Sequence, residues 1–401
     1  MSVPYGKREL RKMNESLAGH VYTGANTTSE RGGKAKGIRV FEIDDKTGEW
    51  TLIQEEEAVN PGFLVINRKQ TRLYCTHANH DEISAYAVDQ ERGTLKLINR
   101  RYLGGWNGTH LTLEPSEKYV LVAAATTGLL AVFPVETDGS LGPMCEAVTP
   151  QGELGPLTAT EQPNSMPHQV IFSPDGKYVF APDRGEDMVH TFSFDRRTGK
   201  LLALHAMRTR AARTPRHLAF SPNGSFAYLL TEFSAGIVSC RLKEGVLVPF
   251  QIIANLPEDY VGLFNKGAEI AVHPSGRFLY ASNRGHNSIA VYSIDEKTGW
   301  LTSVEWHNTY GEIPRFFCIE PGGNYLYAAN EKSGTVTTFL IDQKSGKLQF
   351  TGQIIKTPTP TCLIFTKPVC MVRQQESFRK GNLKPVTSDY RVYSYPTADN
   401  R

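Results

Sequence analysis

The chain has 401 residues, 40% of them hydrophobic and 21% charged, a balance that supports a packed core and excludes a disordered or fibrous chain. Its 44 basic and 41 acidic residues are scattered along the whole length, so no cationic face for nucleic acid is expected. No stretch approaches the ~18 apolar residues of a membrane helix, and the first residues carry charges without an apolar signal core, so a cytoplasmic protein with no membrane partner is expected.

After an extension over residues 1–17, one pattern recurs seven times in a region expected to span residues 18–367. An alternating apolar strand meets an acidic or polar residue, a short turn with Gly, and a second strand. The copies, in order, are FEIDDKTGEWTL, YAVDQERGTLKL, FPVETDGSLG, FSFDRRTGKLLAL, SCRLKEGVLV, YSIDEKTGWLTSV and FLIDQKSGKLQF. Their turn glycines, Gly48, Gly93, Gly139, Gly199, Gly245, Gly299 and Gly346, are spaced by 45, 46, 60, 46, 54 and 47 residues. A glycine there supplies the positive φ of a tight hairpin.

A second signal precedes each of six hairpins, clearest in FSPDGKYVFAPDRGEDMVHTFSF, FSPNGSFAYLLTEFSAGIVSCRL, VHPSGRFLYASNRGHNSIAVYSI and IEPGGNYLYAANEKSGTVTTFLI. It adds two strands to the unit, making four. Four strands at this period predict an all-β fold, a seven-bladed β-propeller with four antiparallel strands per blade. The segment around HVYTGAN and the segment Thr357 to Phe365 are expected to pair in one sheet and close the ring. The two long intervals place insertions at about Cys145 to Met166 and Asn255 to Gly267, loops expected to overhang the channel mouth. Residues 368–401 carry no repeat signature and form a C-terminal extension. Cys75, Cys145, Cys240, Cys318, Cys362 and Cys370 include no CxxC pair and are expected to be free thiols.

In a propeller a site is assembled from equivalent positions of several blades around the axis. At the starts of inner strands lie His168 in MPHQVIFSP, Arg216 and His217 in TPRHLAFSP, Glu269 in GAEIAVHP and Arg315 in IPRFFCIEP. The loop after the second strand offers Asp183 and Arg184, Glu232, Arg284 and His286, and Asn330 and Glu331. Channel arginines suit a carboxylate or phosphate, and a His with a Glu offers acid–base chemistry near neutrality. No GxSxG elbow or HExxH pair is present, and the loop positions of Asp183, Asn283 and Asn330 lack the acidic clustering of a calcium site, so no metal or cofactor is expected.

The strings PHQVIFSPDGKYVFAPDRGEDMVHTFSFD, PRHLAFSPNGSFAYLLTE and EIAVHPSGRFLYASNRGHNSIAVYSID resemble the seven-bladed lactonase family. That family includes propeller-type 6-phosphogluconolactonases and fungal carboxy-cis,cis-muconate cyclases. The likeness covers about residues 18 to 366. It implies carbohydrate metabolism and a catalytic cluster of His168, Arg216, Glu232 and Arg284, with His217, Glu269, His286, Arg315, Asp183 and Asn330 binding substrate. Early blades depart from the family pattern: LYCTHAN puts His77 and Ala78, and VAAATTG puts Ala125 and Thr126, where relatives carry more polar residues. The departures imply a different or bulkier lactone.

The favoured expectation is hydrolysis of a small anionic or sugar-derived lactone by metal-independent acid–base catalysis. Cycloisomerisation of an unsaturated diacid is the enzymatic alternative. A non-catalytic propeller that binds a protein on its faces is the other class, although the WD and GH signatures of such rings are missing.

Overall fold

The computed structural model describes residues 19–44, 47–233 and 235–366. The extensions over 1–17 and 368–401, and Cys370, lie outside the described residues. Seven four-stranded antiparallel sheets make up the fold. A single 3₁₀ turn, Ser29–Arg31, is the only helical segment among the described residues, and no helix there is long and apolar enough to cross a membrane.

Blade 1 joins the two ends of the ring. Its innermost strand is Pro360–Phe365, followed outward by Gly19–Ala25, Gly37–Ile43 and Trp50–Glu57. Val21 pairs with Phe365 and Thr23 with Leu363, so the expected closure is the one observed. Blades 2 to 7 begin at Pro61–Ile66, Gly108–Leu113, Ile171–Phe172, Pro215–Phe220, Lys266–Val272 and Pro314–Ile319, each the innermost strand of its sheet.

Burial is greatest at the second strand of a blade and falls toward the outer edge. The second strands of blades 5, 6 and 7, Phe226–Thr231, Phe278–Arg284 and Tyr325–Asn330, are buried along their whole length because both faces pack against neighbouring blades. The outer strand Lys200–Arg208 of blade 4 is mostly exposed.

The hairpin glycines have a second reason to be glycine. Gly299 adopts φ +76°, and a Cβ there would sit 2.4 Å from Phe226 Cδ1 of the preceding blade. Beside such contacts run hydrogen bonds from one blade to the next: Tyr22 Oη donates to Gly93 O at 2.8 Å, Tyr74 Oη to Gly139 O at 3.1 Å, Tyr228 Oη to Gly299 O at 3.2 Å and Tyr280 Oη to Gly346 O at 2.8 Å. The turn that ends one blade is thus also the socket that seats its neighbour.

Blade 3 differs from the sequence expectation. Its turn at Gly139 closes on a bridge between Val135 and Leu141, and the outer strand comes later as the short Glu146–Val148. Pro143, without an N–H, interrupts the ladder that would have run straight on from the turn. The insertion therefore starts with an outer strand and becomes a loop only after it.

Candidate functional site

The innermost strands are not regular where they begin. In blades 1, 2, 3, 5, 6 and 7 the register against the second strand slips at the first residues, between Pro360 and Cys362, Pro61 and Phe63, Gly108 and His110, Pro215 and His217, Gly267 and Ile270, and Pro314 and Phe316. In blade 4 an isolated Pro167–Asp183 bridge precedes the short strand Ile171–Phe172. A bulge leaves a residue unpaired and re-aims its side chain. The residues so released include Thr361, Gly62, Thr109, His168, Arg216, Glu269 and Arg315, and all of these line one recess of about 430 Å³, its open mouth included. Each bulge follows a Pro or Gly, which explains why a strand that continues as an ordinary ladder starts with a kink.

The chemistry around this ring is uneven. Blades 4 to 7 contribute His168, Arg216, Glu269 and Arg315; blades 1 to 3 contribute Thr361, Gly62 and Thr109. Small residues on one side leave the space that the charged side faces.

A second ring comes from the end of the second strand, at its last residue or the one just beyond it. In blades 4, 5, 6 and 7 these residues are Arg184, Glu232, Arg284 and Glu331. Glu232 sits among three guanidiniums: Arg184 Nε at 3.0 Å, Arg216 Nη1 at 2.9 Å and Arg284 Nη2 at 3.0 Å. Burial pushes this carboxyl up, but Arg184, Arg216 and Arg284 together hold it well below the usual carboxylate range. It is an ionised strut. Arg216 Nε and Arg284 Nη2 also donate to Ala268 O and Gly267 O, both at 2.8 Å, which fixes the planes of the two guanidiniums.

Behind Arg216 runs a chain of imidazoles. Arg216 Nη1 lies 2.6 Å from His168 Nε2, His168 Nδ1 lies 3.1 Å from His217 Nε2, and His217 Nδ1 lies 2.9 Å from Glu269 Oε1. Arg216 can only donate, and an ionised Glu269 only accept. The tautomers assigned on that basis put protons on His217 Nδ1 and His168 Nδ1 and leave His168 Nε2 bare. Burial, reinforced by Arg216, holds His168 well below the ordinary histidine value, so it is a neutral base.

The four residues expected to form the cluster are therefore together, with His217, Glu269 and Arg315 beside them. Asp183, Asn330 and His286 are not brought to the recess. Side chains alternate along a strand, so the residue before each second-ring position points away from the axis. Asp183 accepts from Ser165 Oγ and from the N–H groups of Met166, Gly185 and Glu186, anchoring a loop. Asn330 Nδ2 faces Thr309 O and Thr337 Oγ1. His286 bonds Ser288 Oγ and stands edge-on to Tyr260 of the second insertion. Their one-residue neighbours Arg184 and Glu331 hold the ring positions instead.

Sequence reasoning missed Arg31 and Asn26, which reach the recess from the segment after the first strand of blade 1. It also missed His110, which packs between Phe63 and His217 at centroid distances of 4.2 and 5.7 Å. The bulge signature, Pro or Gly before the strand, would have found Gly62, Thr109 and Thr361. No motif marks Arg31. The first insertion does reach the site: Glu161 lies 3.4 Å from both Arg184 Nη2 and Lys266 Nζ, and Gln162 Nε2 donates to Arg184 O.

A grouping of Asp183, Glu186 and His190 has the donor types of a metal centre. Its atoms are already used: Asp183 by the loop just described, and Glu186 by His190 Nε2 at 2.5 Å.

A family model described as Lactonase, 7-bladed beta-propeller matches residues 20–365. The chain is similar to a 6-phosphogluconolactonase of Bacillus subtilis, 31% identical over 356 residues that cover 87% of this chain and 99% of that protein. Among solved structures, a periplasmic gluconolactonase of Pseudomonas aeruginosa superimposes with a TM-score of 0.81 at 27% identity, covering 88% of this chain and 99% of that one. A Bacteroides fragilis protein described as a candidate 6-phosphogluconolactonase gives 0.80 at 31% identity, covering 87% and 98%.

Proposed function

Because the chain belongs to the family of seven-bladed β-propeller lactonases, we propose that it hydrolyses a small anionic or sugar-derived lactone in the recess at its axis. The observation that carries this reading is the buried, neutral His168 paired with Arg216 Nη1 and backed by His217 and Glu269, on the wall of a cavity.

Arg216 Nη1 occupies the lone pair of His168 Nε2. A lactone carbonyl oxygen competes for that guanidinium and frees the nitrogen. His168 Nε2 then takes a proton from water as the water oxygen bonds to the carbonyl carbon, and Arg216 holds the oxyanion that forms. The positive charge left on His168 is spread through its Nδ1–H to His217 and from there to Glu269. Collapse of the intermediate breaks the ring C–O bond, and the departing oxygen recovers the proton from His168, giving a hydroxy acid.

Metal independence fits this reading, since Arg184, Arg216 and Arg284 surround Glu232, and Arg31 and Arg315 flank Glu331, an excess of positive charge that repels a divalent cation. Ring closure of an unsaturated diacid is less well matched, because it calls for a proton delivered to carbon and Glu232 is held ionised. The names of the relatives suggest aldonolactones as first substrates.

His168→Ala and Arg216→Ala are expected to lower kcat on a hydrolysed aldonolactone by about 10²–10⁴-fold, with an unchanged circular dichroism spectrum. Wild-type turnover in both variants would defeat the assignment.

A further inference from the structure

Three guanidiniums line the recess, and they are not equally engaged. Arg216 is consumed by Glu232, His168 and Ala268 O. Arg284 is tied to Glu232 and Gly267 O and does not line the recess. Arg31 and Arg315 are different. Arg31 Nε and Nη1 donate to two neutral oxygens, Asn26 Oδ1 and Asn79 Oδ1, each at 2.8 Å, and its Nη2 makes no hydrogen bond to the described residues. Arg315 has one carboxylate nearby, Glu331, at 3.6 Å, beyond hydrogen-bond distance.

These two cations belong to one network. Arg31 holds Asn26, Asn26 Nδ2 donates to Glu331 Oε1 at 2.6 Å, and Glu331 Oε2 faces Arg315. The arrangement fixes the Arg31 fork and leaves one carboxylate, Glu331, shared between the two cations, with the more distant Glu30 also acting on Arg31. Burial and, after it, the charge of Arg315 bring Arg31 down to about 10, the mark of two cations close enough to repel. An anion between them relieves that repulsion and receives the free N–H groups. Beside them the recess is lined by Gly62, Ala78, Thr109 and Thr361, whose small side chains leave room for a ligand reaching across from His168.

We propose that Arg31 and Arg315 form an anion subsite that receives a second negatively charged group of the lactone, a phosphate ester or a carboxylate remote from the reacting carbonyl. The assignment of that group to a lactone rests on the function proposed above; the subsite itself does not. Arg216 and His168 then act at the carbonyl, and Arg31 with Arg315 selects which lactone is offered to them. The neutral partners of Arg31 keep its charge available, where a carboxylate in their place would cancel it.

The test is calorimetric titration of the wild-type protein with 6-phosphogluconate, glucarate and gluconate at fixed ionic strength, with inorganic phosphate as a separate probe. At least one of the two doubly charged acids binds about tenfold or more tightly than gluconate, and Arg31→Ala and Arg315→Ala each remove most of that preference. Preference for the phosphate ester identifies a phosphate site; preference for glucarate identifies a carboxylate site. Equal binding of all three acids, or a preference that survives in both variants, overturns the proposal. Turnover is measured separately on gluconolactone and its 6-phosphate. Arg31-dependent binding of phosphate without any hydrolysis keeps the subsite and removes the lactonase reading. Hydrolysis of either lactone by a protein that binds all three acids equally does the reverse.

Discussion

At the scale of single residues, His168 decides the pH behaviour. Its folded value lies well below the ordinary 6.5 because burial and Arg216 disfavour the imidazolium, so the base form persists as pH falls through the region where a free histidine would be half protonated. The enzymatic kcat/KM for lactone hydrolysis is expected to stay flat from pH 7.5 down through 6.5, after subtraction of spontaneous hydrolysis. A midpoint at an ordinary histidine value would show that His168 is not the titrating base. Repeat positions made His168, Arg216, Glu232 and Arg284 candidates among several others, and the family resemblance singled out these four. Asp183 and Asn330 were misread by one position, since a strand turns alternate residues to opposite sides and the sequence does not say which residue of a loop completes the alternation. Arg31 was beyond reach: it approaches the recess from a segment outside the repeat pattern, held by Asn79 of the next blade and linked through Asn26 to Glu331 of the last one.

At the scale of elements, the repeat told its own story through its turns. The hairpin glycines announced the blades, yet their contact with the preceding blade was invisible, because it joins residues far apart in the chain. Gly299→Ala would force φ +76° on an L-residue and drive a Cβ into Phe226. It is expected to cost about 1–3 kcal/mol in chemical denaturation. Tyr280→Phe, which removes only the hydrogen bond to Gly346 O, is expected to cost about 1 kcal/mol. If Gly299→Ala were as stable as wild type, the socket described here would have no energetic weight. Blade 3 shows where the pattern failed: the turn signal at Gly139 was genuine, but Pro143 displaced the strand it announced.

At the scale of the whole molecule, stability in acid follows from charges buried around the axis. His110 and His168 are held neutral in the fold, chiefly by burial, so the unfolded chain binds protons that the folded one refuses once pH drops below 6.5. Glu232 adds to this lower down: its folded value lies below the ordinary 4.5, so its contribution is present above 4.5 and lost as pH falls toward the folded value. Tm is therefore expected to decline as pH falls below 6.5 and to decline further below 4.5; a Tm unchanged from pH 7 to pH 4 would contradict both. The ring itself was readable from seven hairpins, since closed repetition leaves few other ways to hide their faces.

The pairing of Gly19–Ala25 with Pro360–Phe365 also has a consequence for biosynthesis. The first sheet to leave the ribosome lacks its axial strand until nearly the entire repeat region has been made. Its unfilled edge must stay available, and unspent on any other partner, while six further blades assemble. Ring closure is thus an act of recognition between the first and last strands of the repeat region, and it is this late event that sets Asn26 and Arg31 beside Glu331 and Arg315.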